Sequence, residues 1–259
     1  MIATFSKLGI MGELGNQMFQ VAATLGYAKR VGKIAIFPTW KCKISGSDYT
    51  DIFKHSVSQT DEIVSHVSKY TYVDLKYVQI PYADGNVDLC GYFQSEHYFK
   101  NAIDDIIYYF APNDKISKQV NEFEIADNAV SLHIRTGTRT MNDYDVHQYS
   151  NKQFIEAAQT HFDKDSTFYV FSDKIDEAKK ILPEDRKYVF IDNNKNYVDL
   201  FLMTKFSKHI VSPSTFGWWG AWLSKTSEKV VIAKDWFNKD KVKAYLNNND
   251  IIPANWIKI

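Results

Sequence analysis

The 259-residue sequence has few of the features that mark secreted or membrane-spanning proteins. Its 2 cysteines lack the spacing of metal ligands, and two are too few for a disulfide framework. No apolar run approaches the length that crosses a bilayer, and the N-terminus has no basic segment followed by a long apolar stretch. We therefore expect a cytoplasmic protein with free thiols and no transmembrane segment.

An excess of charge of one sign is missing as well. The 31 Lys and Arg residues balance the 31 Asp and Glu residues, so composition gives no reason to expect nucleic acid or an anionic membrane as a partner. Any bound anion must be held locally. The pattern G-x-G-x-x-G with an acidic residue about 20 positions later is also missing, which argues against a nicotinamide-dependent dehydrogenase.

The second half of the chain alternates between strand-like and helix-like segments. The strand-like runs are 130–135, 168–172, 188–192, 209–212 and 229–233, and the helix-like segments between them are 151–162, 176–182, 197–206 and 215–225. This alternation predicts βαβ crossovers and a parallel sheet. Ligands of such sheets bind beyond the carboxyl ends of the strands.

The first half is less regular, but it also begins with a strand, a glycine-containing loop and a helix. That helix is predicted to run to about Val31 and to end at Gly32, with Asn16 as its N-cap. Its predicted buried stripe consists of Phe19, Ala22, Ala23 and Tyr27.

Two loops lead into helix N-termini, where free backbone N–H groups and the helix dipole favour an anion. One spans residues 12–17 and the other residues 213–220. Each one alone is equally consistent with an ordinary turn. We interpret Trp218 and Trp219 as packing residues, because they lie inside the second helix.

Two further strand ends carry charged side chains. Arg135, in S-L-H-I-R-T-G-T-R, can hold a diphosphate through two parallel hydrogen bonds, and His133 can reach a base edge. Asp173, after F-Y-V-F-S, can accept from the N–H and NH₂ edge of guanine. The alternatives are that Arg135 forms a surface ion pair, that His133 is a core histidine with its hydrogen bonds satisfied, and that Asp173 caps the helix that follows it. Four such loops on one α/β edge favour a nucleotide or nucleotide-sugar site.

Several blocks, in order along nearly the whole chain, closely resemble the bacterial-type α-1,2-fucosyltransferases. They are G-E-L-G-N-Q-M-F-Q, C-G-Y-F-Q-S-E-H-Y-F, S-L-H-I-R-T-G, F-Y-V-F-S-D and D-L-F-L-M-T-K-F-S-K-H-I-V-S-P-S-T-F-G-W-W-G-A-W-L. The resemblance implies an α/β fold of the GT-B type, with two Rossmann-like halves and a cleft between them. Residues 1–125 would form the acceptor side and residues 126–259 would bind the GDP-sugar.

The implied activity is inverting transfer of L-fucose from GDP-fucose to a glycan hydroxyl, most simply the 2-hydroxyl of a galactoside, without a metal or another cofactor. The resemblance also assigns roles to site residues. Arg135 would neutralise the diphosphate, His133 and Asp173 would read guanine, Ser214, Thr215 and Phe216 would wrap the phosphates, and Gly15 and Asn16 would form the turn that faces them.

The chain departs from the family pattern at four positions. Thr136, Thr138 and Arg139 stand where the family usually has a second arginine, an aspartate and a tyrosine, and Glu13 replaces a glycine. We predict that Arg139 supplies the missing positive charge. Glu13 and Asp143 are both candidates for a general base, and we take Glu13 as the hypothesis; the alternative is that the departing phosphate itself collects the proton. The D-x-D formed by Asp143 and Asp145 is interpreted as a solvated turn.

These departures leave two alternatives open. One is a transferase for another GDP-deoxysugar or another linkage, and the other is a non-catalytic descendant that binds a sugar or nucleotide.

Overall fold

The computed structural model describes residues 1–62, 65–73, 76–136, 149–226, 228–236 and 250–259. They form two compact units. The first contains residues 1–115 and a later segment that ends at Pro253, and the second begins at Ile116 and includes Ala254–Ile259. The division falls inside a helix, so residues 116–125 belong to the second unit, although the change of pattern near residue 125 assigned them to the first half. Within the described ranges, every helix is too short or too polar to span a bilayer.

The first unit contains a four-stranded parallel sheet with the strand order β2-β1-β4-β3. Its strands are β1 (Ile2–Thr4), β2 (Ile34–Ala35), β3 (Val67–Thr71) and β4 (Asn86–Cys90). Its helical elements are α1 (Leu14–Val31), two short 3₁₀ helices (Glu96–Tyr98 and Lys100–Ala102), α2 (Ile103–Tyr109) and the start of α3 (Asp114–Asn121).

Helix α1 confirms most of what the sequence predicted for it. It ends at Gly32, whose left-handed φ of 68° suits glycine, and the predicted stripe of Phe19, Ala22, Ala23 and Tyr27 is buried. The predicted N-cap is wrong. Glu13 is the N-cap and Asn16 lies within the first turn.

The reason for this shift lies in the turn that precedes α1. Gly12 has a φ of 73°, so the chain turns one residue before Glu13. The buried amide side chains of Gln17 and Gln20 then donate to the carbonyls of Gly12 and Met11, at 2.7 and 2.9 Å. These two contacts join the turn to the helix face, so α1 begins earlier than the Asn16 signal indicates.

The second unit contains a six-stranded parallel sheet with the strand order β10-β9-β8-β5-β6-β7. The strands are β5 (Ala129–Ile134), β6 (Thr167–Ser172), β7 (Lys187–Ile191), β8 (Lys208–Val211), β9 (Val230–Ala233) and β10 (Ile257–Lys258). The helices between them are α4 (Lys152–Gln159), α5 (Ile175–Lys179), α6 (Asn196–Met203) and α7 (Thr215–Trp222). The predicted alternation and parallel sheet are confirmed, and the two-residue strand β10 was missed.

Strand β5 is buried on both faces and separates two layers of this unit. Leu132 and Ile134 pack into an apolar cluster with Phe154 and Ile155 of α4. His133 lies on the opposite face, against the start of α7. Side chains alternate along a strand, so the faces of His133 and Ile134 are opposite. Arg135 is the first residue after the strand.

Helix α7 is apolar on all sides, and its indoles are core residues, as predicted. Trp218 and Trp219 are 1% and 0% exposed, and Trp218 also packs against Trp256 with ring centroids 5.6 Å apart. This packing fixes the position of the helix and therefore of its N-terminus.

Candidate active site

The hydroxyl of Ser212 joins the ends of the neighbouring strands β5 and β8. Ser212 Oγ accepts a hydrogen bond from the backbone N–H of Arg135 at 2.8 Å and donates to the carbonyl of His133 at 2.8 Å. It also lies 2.9 Å from Nδ1 of the His133 ring. One buried side chain therefore holds the end of β5, which leads to Arg135, in register with the end of β8, which leads into α7.

These contacts fix the tautomer of His133. A carbonyl oxygen cannot donate, so the single proton of the Ser212 hydroxyl points to the His133 carbonyl. Its oxygen must then accept from His133, which places the ring proton on Nδ1 and leaves Nε2 as an acceptor. Burial, followed by the nearby positive charge of Arg135, lowers the pKa of His133 to about 3, so the ring is neutral.

The N-terminus of α7 approaches the His133 ring because Gly217 has no side chain. A Cβ at this position would lie 2.7 Å from Cγ and Nδ1 of His133. The Phe216 and His133 ring centroids are 5.9 Å apart. Ser214 is the N-cap but does not cap the helix with its hydroxyl, and the side chains of Ser214, Thr215 and Phe216 are half-buried. The first N–H groups of α7 lack intrahelical acceptors, as at any helix start.

Arg135 forms an ion pair with Asp173 across the ends of β5 and β6. One guanidinium nitrogen lies 2.6 Å from the Asp173 carboxylate, and the two side chains are 29% and 41% exposed. Asp173 therefore does not take the helix-cap alternative, since Lys174 is the N-cap of α5. Arg135 retains further N–H donors, because a guanidinium has five.

The sequence patterns missed a carboxyl at the same edge of the sheet. Asp199 lies in the first turn of α6, after β7, and accepts from Asn194 Nδ2 at 2.9 Å. Burial, with a smaller contribution from Asp192, raises its pKa to about 6, against the opposing effect of the Asn194 hydrogen bond. The only sequence signal was an aspartate on the otherwise apolar segment Y-V-D-L-F-L-M.

Ser212 and Gly217 were also missed as functional positions. The sequence identified Ser212 only as the last residue of a strand, and Gly217 only as part of a loop block. Their roles depend on His133, which is far away in the sequence, so no local pattern reveals them.

The remaining predicted residues lie in the first unit, at the start of α1. Glu13 is exposed, Gly15 is buried as the second residue of the helix, and Asn16 is the third. Asn16 Oδ1 accepts from Gln94 Nε2 at 2.7 Å, which ties the helix start to the segment after β4. Gly15 and Asn16 therefore lie in the first helical turn and not in the preceding loop.

Four residues from the sequence analysis lie outside the described residues: Thr138, Arg139, Asp143 and Asp145. In the part of the chain that the structure describes, no three His, Cys, Asp or Glu side chains converge as they would around a metal ion. Cys42 and Cys90 are free thiols.

Comparison with known proteins finds similarity over nearly the whole chain. The family described as Glycosyl transferase family 11 matches residues 5–259. An Escherichia coli α-1,2-colitosyltransferase is 27% identical, with 96% of this chain and 97% of the relative covered. A Caenorhabditis elegans galactoside 2-α-L-fucosyltransferase is 26% identical, with 100% of this chain and 79% of the relative covered.

A crystal structure of the NodZ α-1,6-fucosyltransferase soaked with GDP-fucose has a TM-score of 0.54 at 10% identity. The match covers 86% of this chain and 92% of the NodZ chain. At this identity the similarity concerns the fold alone, and it confirms the predicted α/β architecture of the GT-B type.

Proposed function

Because this chain belongs to glycosyl transferase family 11 and is a glycosyltransferase, we propose that it transfers L-fucose from GDP-fucose to the 2-hydroxyl of a galactoside in a glycan acceptor. Its similarity to a galactoside 2-α-L-fucosyltransferase and to an α-1,2-colitosyltransferase supports the α-1,2 linkage. The proposed transfer is inverting and uses neither a metal nor another cofactor.

The observation that carries the proposal is the pair of hydrogen bonds by which Ser212 joins the end of β5, at His133 and Arg135, to the loop into α7. This pair holds the backbone of Arg135 next to the loop into α7, and the N–H groups at the start of that helix and the hydroxyls of Ser214 and Thr215 suit phosphate oxygens. A fixed cation and fixed N–H dipoles are what a departing diphosphate requires, because negative charge builds up on it during the reaction.

In the proposed reaction the acceptor hydroxyl oxygen attacks the anomeric carbon from the side opposite GDP. The bond from that carbon to the diphosphate breaks, and the electron pair leaves with GDP while Arg135 and the α7 N-terminus stabilise its charge. The hydroxyl proton passes to a base or to the departing phosphate. Glu13, exposed at the N-cap of α1, remains our hypothesis for that base.

His133 and Asp173 are proposed to read guanine. The free Nε2 acceptor of neutral His133 suits an N–H of the base, and its fixed tautomer would discriminate against a base that presents only acceptors. Asp173 would have to exchange its contact with Arg135 for the base. Asp199, as a second partly buried carboxyl at this edge, is an additional candidate.

The test is GDP release from a panel of GDP-sugars, with and without simple galactosides, followed by NMR assignment of the product linkage and anomeric configuration. We expect GDP-fucose and a galactoside to be required together, an α-1,2 product, and unchanged activity in EDTA. A chain that binds GDP-fucose but releases no GDP would instead be a non-catalytic descendant.

A colitosyl donor is the second candidate, because one relative that covers nearly the whole chain carries that name. Faster turnover with that donor than with GDP-fucose would establish it. We place the enzyme in the cytoplasm, a proposal that the free thiols of Cys42 and Cys90 support.

A further inference from the structure

Among the described residues, two buried hydroxyls close to Arg135 have no hydrogen-bond partner. They are Thr136 Oγ1, two residues after β5, and Ser150 Oγ, in a residue that is only 9% exposed. Ser150 also donates its backbone N–H to the carbonyl of Arg135 at 3.4 Å and precedes Asn151, the N-cap of α4. An unsatisfied buried hydroxyl costs about 1–3 kcal/mol, so two of them together require an explanation.

Ile134, the last residue of β5, packs with Phe154 of α4, whereas His133 contacts the start of α7 and Arg135 pairs with Asp173. Helices α4 and α7 therefore lie on opposite faces of β5. Thr136 follows β5 by two residues, and Ser150 precedes the N-cap of α4.

A lysine that follows another strand contacts the first turn of α4. Lys234 follows β9, is half-buried, and holds its Nζ 5.0 Å from the ring centroid of Phe154, which lies in the first turn of α4. Burial lowers the pKa of Lys234, against the opposing effect of Asp235. Within the described ranges, no carboxylate forms an ion pair with Lys234.

The N-terminus of α4 has unused donors of its own. The side chain of Asn151 accepts from the N–H of Phe154 at 2.9 Å. The N–H groups of Lys152 and Gln153 have no intrahelical acceptor, as expected for the first positions of a helix. Phe154, whose ring lies under the ammonium of Lys234, belongs to the same first turn.

The carboxylates nearest in sequence to these donors form ion pairs with other lysines. Asp235 pairs with Lys258 at 3.2 Å, and Glu156 lies 3.9 Å from Lys152. Among the described residues, the ammonium of Lys234 forms no ion pair, although Asp235 acts on it electrostatically, and the hydroxyls of Thr136 and Ser150 have no partner.

We propose that this place, which we call the α4 anion site, binds a single phosphate-type oxyanion between Lys234 and the N-terminus of α4, with the hydroxyls of Thr136 and Ser150 completing the contacts. The oxyanion is either inorganic phosphate or the phosphate group of a sugar ester. The site is separate from the diphosphate grip at Arg135.

Phosphate-dependent thermal stability tests the site with the full chain. All variants carry Arg135→Ala, which removes the proposed donor grip, and are melted in potassium phosphate and in potassium chloride of equal ionic strength. We expect phosphate in the tens of millimolar range to raise Tm by roughly 3 °C. Lys234→Met should weaken phosphate binding about tenfold or more, as expected for loss of a charge-assisted contact.

The hydroxyl variants give a signature that a general salt effect does not produce. Ser150→Ala and Thr136→Val remove orphaned hydroxyls, so they should leave Tm in chloride unchanged or higher but reduce the rise in phosphate. The control Lys208→Met removes another half-buried lysine, at the start of β8, and should keep the full rise. If Lys234→Met does not fold, Ser150→Ala, Thr136→Val and Lys234→Arg test the site in its place.

Equal Tm in phosphate and chloride, or a rise that survives in Lys234→Met and in both hydroxyl variants, would overturn the α4 anion site. Glucose 1-phosphate, compared with glucose, separates the two sources of the oxyanion. Tighter binding of the ester supports a sugar phosphate, and equal binding supports free phosphate. Because the readout is the loss of the phosphate effect in Lys234→Met and in the hydroxyl variants, residual phosphate binding at the start of α7 does not mimic the site, and transferase activity is not required.

Discussion

Replacing Arg135 by alanine tests the proposed diphosphate grip most directly. The free protein already pairs this guanidinium with Asp173, so the first question is whether a diphosphate can compete for it. With side chains 29% and 41% exposed, the pair contributes at most about 1 kcal/mol. Loss of one preorganised donor to a developing charge typically costs about 2.7–4 kcal/mol in the transition state. The diphosphate should therefore displace Asp173 as the partner of Arg135. Arg135→Ala should lower kcat about 10²-fold or more.

The alanine variant has two effects, which a double-mutant cycle separates. It removes a cation, and it leaves the Asp173 carboxylate without its partner near the phosphates. If Asp173 is only a counter-ion, Asp173→Asn alone should leave the KM for GDP-fucose equal or lower, and should restore part of the activity lost in Arg135→Ala. If Asp173 reads guanine, Asp173→Asn should raise that KM and reduce the preference for GDP over ADP as an inhibitor.

The assay is GDP release at saturating acceptor, with Tm measured for every variant. Arg186→Ala is the matched control. Arg186 lies just before β7, at the amino ends of the strands and not at the carboxyl ends that carry the site, and it donates to the carbonyls of Asp163 and Gln159. It should keep kcat near the wild-type value. Near-normal turnover by Arg135→Ala in a folded protein would refute the assignment.

Three further predictions address other parts of the site. His133→Asn keeps a donor toward Ser212 but removes the Nε2 acceptor. Calorimetry should therefore show GDP binding that is at least several-fold weaker, with little change in Tm. Unchanged GDP affinity would mean that His133 is only a core residue. Glu13→Gln should remove the acidic limb from the pH profile of kcat if Glu13 is the base, and an unaltered profile would exclude it. The pKa of Asp199 is about 6 in the folded protein against 3.8 as its ordinary value, so the folded state binds more protons between these values. Stability is therefore fully present below pH 3.8 and falls as pH rises through 6, by up to about 3 kcal/mol, and denaturant titrations of Asp199→Asn should lack this fall.

Much of the second unit could be predicted from local pattern. Apolar runs separated by amphipathic segments predicted strands β5–β9 and helices α4–α7 to within a few residues, and strands of a βαβ series carry their loops at one edge. Arg135, Asp173 and Ser214 were therefore expected together, and the structure brings the ends of β5, β6 and β8 side by side. The start of α1 was less predictable, because Gln17 and Gln20 bind carbonyls of the preceding turn.

The sequence by itself determined the alternation of strands and helices, the parallel sheet that follows from it, and the types of side chain that end each strand. These depend on periodicity and on interactions between near neighbours in the chain. Only the tertiary structure decided the surroundings of those side chains. Arg135 pairs with Asp173, His133 contacts Ser212 and Gly217, and Asp199 is partly buried. Such contacts join residues that are far apart in sequence, so they depend on the order of the strands and the packing of the helices, which no local pattern contains.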